Sequence, residues 1–274
     1  LTPVDKTFSS LDIQDNIIEN NKVKVAFGKD GSIISLYDKE NDRELVKDYF
    51  NKFVIFSDPF MYYNAWDIRM DYRELEKWEP IVTAVNTYID GPSVIRETTY
   101  KFNKSQIIQK VILTDNDPMV KFDTTVDWHE DMKLLRTEFI PTVYADNVTC
   151  NIPFGDFNRT THEDDSVEKA QFEICAQKYI NLDDKDYGWA LLNNCKYGHR
   201  VKNGLVSLAL LRAPKFPDPT CDRGLHRFTY AVLPHKEKFK DSTVLERGYT
   251  LNNEIEIIDK KLDIAPMISS NKKN

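Results

Sequence analysis

The sequence predicts an all-β protein, a large antiparallel β sandwich, and three observations carry that reading. Apolar residues recur at every second position along most of the chain, the alternating runs are short and bounded by Gly, Pro, Asn and Asp, and no segment sustains a 3.6-residue period beyond a couple of turns. Alternation turns one row of side chains to a core and the other to water. Roughly 15 such runs in successive hairpins are buried only when antiparallel sheets pack face to face. At 274 residues the chain holds one large β domain or two smaller ones.

Residues 1–19 are polar and weakly patterned and read as a flexible lead-in. Val23, Val25 and Phe27 then share one strand face, and the chain turns at Lys29, Asp30 and Gly31 into a second strand over 33–37, with glycine supplying the positive φ of the hairpin. Runs 53–56, 81–89, 94–102, 106–113 and 120–128 repeat the pattern, followed by 135–143, 172–179, 189–192 and 205–211. The best helical candidate is the acidic stretch 71–77, and residues 153–165 read as a loop from their Gly, Asn and Pro content. After Leu211 three prolines, Pro214, Pro217 and Pro219, end the pairing before Phe228, Tyr230 and Val232 resume it. Proline fixes φ and removes a donor, so this stiff loop is expected to project from a sheet edge. Residues 20–255 form one domain with no linker or repeat, and 256–274 are expected to be a mobile tail.

Composition excludes several classes. Net charge is -7 with a pI near 5.4, which argues against a nucleic-acid partner. No apolar run approaches the ~20 residues of a membrane helix. Cys150, Cys175, Cys195 and Cys221 are dispersed without a C-x-x-C pair, so zinc-ribbon and thioredoxin readings fail and buried free thiols are expected. The Asn-x-Ser/Thr triplets at Asn103, Asn147 and Asn158 weigh little in an Asn-rich chain. Absent signals and unpaired cysteines favour the cytoplasm over a vacuole or lysosome, and the missing initiator Met suggests a longer parent chain.

Three segments carry candidate chemistry. Tyr63, Asn64, Trp66 and Asp67 place aromatic rings beside an amide and a carboxylate, the groups that take the C–H face and paired hydroxyls of a sugar; the alternative is that Trp66 plugs the core. In 153–165, Arg159 and His162 stand near Glu163, but adjacent residues on an extended chain point apart, the H-E-x-x-H pattern is absent, and no metal site is expected. The Pro-rich loop carries Lys215, Asp218, Asp222 and Arg223, with His226 beyond it, and a merely solvated connection is its alternative. Phosphate-binding glycine loops, nucleophile elbows and Cys/His pairs are missing, so the residues alone give no self-sufficient catalytic set.

Taken in order, Gly31–Lys39, Asn64-Ala-Trp-Asp67, Pro153-Phe-Gly with Arg159-Thr-Thr-His162, Phe172–Lys178, Gly188–Gly198, Leu211-Arg-Ala-Pro, Pro217-Asp-Pro, Gly224-Leu-His226 and Phe228–His235 resemble the C-terminal β region of the glycoside hydrolase family 38 α-mannosidases, nearest the cytosolic and vacuolar branch. The resemblance covers residues 20–255 and implies a galactose-mutarotase-like β supersandwich. It also implies a retaining hydrolysis of α-mannosidic bonds in glycans, through a glycosyl-enzyme on an Asp with a zinc ion gripping sugar hydroxyls. Nucleophile, acid and zinc ligands belong in the family to an upstream α/β domain and helical bundle that this sequence lacks. The chain is therefore expected to be inactive alone and to hold no cofactor, with zinc in the full-length enzyme. Its expected partners are its own catalytic domain and α-mannoside glycans, with homo-oligomers compatible and neither nucleic acid nor membrane involved. By motif position, Trp66, Asp67, Asp218, Asp222 and Arg223 are implied substrate-binding residues, with Tyr63, Asn64, Arg159, His162 and His226 as further candidates. Thr160 stands where the family pattern has Pro. Two other classes fit the fold by analogy, an autonomous aldose epimerase and a carbohydrate-binding or oligomer-forming module.

Overall fold

Alternating burial along the strands assembles three antiparallel sheets in the computed structural model, which describes residues 10–59 and 62–253. The largest sheet has nine strands in the spatial order Gly155–Thr160, Asn147–Ile152, Tyr179–Asp183, Gly188–Asn193, Gly224–His235, Val120–Trp128, Ser105–Thr114, Ser93–Phe102 and Ile81–Asp90. A six-stranded sheet runs Ile174–Cys175, Gly198–Lys202, Leu205–Leu211, Lys133–Phe139, Lys52–Ser57 and Lys77–Trp78. Five short strands, Asp12–Gln14, Ile17–Glu19, Val23–Phe27, Ile33–Asp38 and Arg43–Glu44, form the third.

One core joins all three sheets, with Val25 and Ile33, Phe139 and Leu208, and Phe122, Trp189 and Tyr230 in a single buried cluster. Phe139 of the six-stranded sheet lies 6.0 Å from the Trp189 ring and 6.5 Å from Tyr230 of the nine-stranded sheet, so the two large sheets meet face to face. Burial of this kind supplies most of the driving force. A polar chain inside it is paired: Asn51 donates to Gln109 at 2.6 Å and Gln109 donates to the Tyr230 hydroxyl at 2.7 Å, whereas the Trp128 and Trp189 Nε1 atoms have no partner among the described residues. Gly31 has φ +79°, as the hairpin required, and a Cβ there would lie 2.3 Å from the Tyr100 hydroxyl.

The all-β sandwich is as expected, with local differences. Residues 10–19, assigned to the lead-in, carry two paired strands, because Ile18 is wholly buried in the core; residues 1–9 and the expected tail at 256–274 lie outside the described residues. The loop expected over 153–165 contains the strand Gly155–Thr160, folded onto Asn147–Ile152 through a turn with Phe154 at φ 66°. The acidic stretch 71–77 yields only the 3₁₀ turn Tyr72–Glu74 before a strand begins at Lys77. The run 172–179 divides into Ile174–Cys175 and the start of Tyr179–Asp183, in different sheets. A helix at Val244–Asn252 was not expected, since Gly248 interrupts its pattern. Glycine is needed there because a Cβ would sit 2.7 Å from the Tyr179 ring.

Candidate functional site

The Pro-rich loop does not hang from one sheet edge. It leaves the six-stranded sheet at Leu211 and enters the nine-stranded sheet at Gly224, so it crosses from one layer to the other. Its conformation is fixed from within. Asp222 accepts the backbone amides of Arg212 at 3.2 Å and Ala213 at 3.1 Å, and its own carbonyl accepts from His226 Nε2 at 2.8 Å. Both Ala213 and Asp222 hold positive φ, 52° and 60°, a conformation these contacts stabilise. Arg212 makes a paired contact with the buried Asp58 at 2.7 and 3.0 Å. Asp131 receives Arg223 Nε at 2.9 Å and Lys215 Nζ at 2.5 Å, and the Arg223 guanidinium holds its carboxyl below the usual range. Asp218 turns back to accept the amide and hydroxyl of Thr220, both at 2.8 Å, which lowers its pKa. Of the three charged residues singled out in this loop, Asp222 is thus an internal brace, whereas Asp218 and Arg223 are exposed and locally engaged.

Residues 62–70 lie against this loop. The amide of Phe216 donates to Asn64 Oδ1 at 3.0 Å, and that of Ala65 donates to the Phe216 carbonyl at 3.3 Å. Three rings gather on Phe216: Tyr62 at 5.8 Å, Tyr63 at 5.5 Å and Trp66 at 6.3 Å between centroids. Trp66 is 67% exposed, so it does not plug the core. Asn64 lies buried beneath the rings with its Nδ2 unpaired among the described residues, and exposed Asp67 accepts the amide of Ile68 at 2.8 Å. Two segments distant in sequence thereby form one exposed aromatic patch edged by carboxylates.

Beside the patch, a cleft of about 370 Å³ opens on the outer face of the six-stranded sheet. Ile68, Leu134 and Ala209 give it an apolar wall, and Glu173, Lys196 and His226 give it polar ones. Behind them Arg136 is completely buried; it donates to Glu173 Oε1 at 3.0 Å and to Ser207 Oγ at 2.7 Å, while the Tyr72 hydroxyl reaches the same Glu173 oxygen at 2.8 Å. Sequence reading passed over Arg136, Glu173 and Lys196. Arg136 shares strand parity with Leu134, and that was the available signal of a covered outer face.

The family model for the glycosyl hydrolases family 38 C-terminal domain matches residues 18–220, and this span takes in the patch and most of the Pro-rich loop. The chain belongs to glycosyl hydrolase family 38. It is 35% identical over 274 residues to alpha-mannosidase G of Dictyostelium discoideum, covering 96% of this chain and 25% of that protein. With alpha-mannosidase 2C1 of Mus musculus it shares 38% identity over 242 residues, 86% of this chain and 23% of the relative. The chain thus spans about a quarter of the length of these relatives. A crystal structure of an alpha-mannosidase from Enterococcus faecalis superposes with a TM-score of 0.72 over 88% of this chain and 31% of that one, at 15% identity, and so shares the fold.

Within this family 38 region, Arg159 and His162 stand apart from the patch. His162 contacts Asp146 at 3.1 Å and the Tyr144 hydroxyl at 3.5 Å, and Arg159 lies 5.1 Å over the Phe157 ring. No hydrogen bond, ion pair or ring contact among the described residues joins either to the Pro-rich loop. Nor does any group of three His, Cys, Asp or Glu side chains among them converge as a metal site. No helix among them is long and apolar enough to cross a membrane.

Proposed function

We propose that this chain is the β region of a retaining, zinc-dependent α-mannosidase that hydrolyses α-mannosidic bonds of glycans. In this reading it forms one wall of the sugar pocket, supports the catalytic region, and is inactive alone. The observation that carries it is the patch itself: Tyr63 and Trp66 stand exposed on Phe216 with Asp67 alongside, in a chain of family 38 whose relatives are named alpha-mannosidases. Exposed rings offer an electron-rich face to sugar C–H groups, and a carboxylate anchored by a backbone amide accepts hydroxyls without moving. The side chains here do not fit a zinc ion, since no donor set converges among the described residues. The work of these residues is to orient the sugar and exclude water. Of the four thiols expected to be buried only Cys150 is, because Cys175 and Cys195 lie exposed and Cys221 is half-buried; exposed free thiols support a reducing, cytoplasmic setting.

The test uses an aryl α-mannoside. The 274-residue chain should give no turnover, and in the enzyme that carries this region Trp66→Ala should lower kcat/KM by roughly tenfold or more. Turnover by the chain itself would sink the supporting role. Unchanged kinetics in the variant would take Trp66 out of the pocket.

A further inference from the structure

We propose that the cleft on the outer face of the six-stranded sheet is a second sugar subsite, distinct from the aromatic patch, which takes a neutral pyranose residue of an extended glycan between Glu173 and Lys196. The inference rests on the α-mannosidase reading for the identity of the glycan, but its geometry stands alone.

Three features of the cleft select this ligand. The first is unused hydrogen-bonding capacity. Glu173 Oε1 takes both Arg136 and Tyr72, while Oε2 has no donor among the described residues. Lys196 lies with its ammonium 4.5 Å over the Phe228 ring, and no carboxylate among the described residues comes within ion-pair distance of it. Partial burial pushes its pKa down. His226 donates from Nε2 to the Asp222 carbonyl, which leaves Nδ1 as an acceptor.

The second feature is charge. A strongly anionic ligand would meet Glu173 and Asp222, and a cation would meet Arg136, Lys196 and Arg212, all of which line the same space. Vicinal hydroxyls meet neither penalty, because each can donate to Glu173 and accept from Lys196. The third feature is shape. Ile68, Leu134 and Ala209 supply an apolar wall for the C–H face of a ring, and about 370 Å³ lies within the usual range for a small-molecule pocket. Glu173 is held from behind by a wholly buried guanidinium, so little is lost in ordering it on binding.

Position links the cleft to the patch. Ile68 follows Trp66 by two residues, and Asp222 belongs to the loop that carries Phe216, so one glycan can engage both. A monosaccharide glycoside occupies only one of them.

Isothermal titration of the 274-residue chain with an α-linked mannotriose decides the question without turnover. Lys196→Met keeps the apolar stem and removes the donor, and it should weaken binding by roughly tenfold or more; Glu173→Gln should do likewise. In the complete enzyme Lys196→Met should raise KM for the mannotriose and leave the aryl α-mannoside unchanged. Equal affinity in wild type and both variants, or no binding by wild type, overturns the subsite. So does an equal loss on both substrates, which would mark Lys196 as a structural support. Binding that depends on Lys196 in an enzyme without mannosidase activity would instead sink the proposed function and leave the subsite standing.

Discussion

Asn64 and Phe216 are 152 positions apart in the chain, yet the Phe216 amide donates to the Asn64 side-chain carbonyl at 3.0 Å in a wholly buried contact on the Asn64 side. This bond pins the aromatic segment to the Pro-rich loop. An Asn64→Leu substitution matches the volume and strands a backbone donor, so it should cost about 1–3 kcal/mol by chemical denaturation. It should also lower kcat/KM in the complete enzyme by releasing the rings from one another. A stable variant with wild-type kinetics would show that the two segments are held by other contacts.

Trp66 offers a cleaner separation of stability from function. A core tryptophan replaced by alanine costs about 3–5 kcal/mol, whereas a ring that is 67% exposed should cost within roughly 0.5 kcal/mol. Trp66→Ala should therefore leave Tm almost unmoved while kcat/KM falls. A large drop in Tm would return this residue to the role of a core plug.

Asp131 sits between two cations of the loop, Lys215 and Arg223, with its side chain 36% exposed. Its pKa is held down in the folded state, chiefly by the Arg223 hydrogen bond. Stability from it is thus present above the unfolded carboxylate value and is lost as pH falls through the folded one. Solvent screening keeps the contribution small, so Asp131→Asn should cost less than about 1 kcal/mol, and the cost should shrink in high salt. An undiminished cost at 1 M salt would mean that packing, rather than charge, fixes the loop.

Strand identity was legible where alternation was strict, as in Val23, Val25 and Phe27 or along Val120–Trp128, because burial of one face is a local constraint. The edge strand Gly155–Thr160 was not, since its residues bury little and only pairing with Asn147–Ile152 makes it a strand. Trp66 was recognised as a sugar-type residue, but its exposure depends on where the chain leaves the sheet after Ser57, which the sequence does not encode locally. Arg212 with Asp58, 154 positions apart, left no local trace, and the same holds for Arg136 with Glu173. Long-range polar pairs are specified by the completed fold, and most of the candidate site is built from them.

His199 provides a pH test of that buried polar layer. It is wholly buried beside Arg136; Nδ1 donates to the Tyr197 carbonyl at 3.1 Å, and Nε2 has no partner among the described residues. Burial, reinforced by the Arg136 charge, pushes its pKa from 6.5 down to about 4. Between those values the unfolded chain binds a proton that the folded chain does not, so stability rises with pH across this window. The contribution is full above pH 6.5 and is lost as pH falls toward about 4. At about 1.4 kcal/mol per pH unit below 6.5, moving from roughly pH 7.5 to 4.5 should cost about 2–3 kcal/mol through this residue. Urea unfolding at both pH values should show that loss in wild type, and His199→Gln, which cannot titrate, should reduce the difference by the same amount. An identical pH difference in the variant would place the acid sensitivity elsewhere and show that the imidazole reaches solvent.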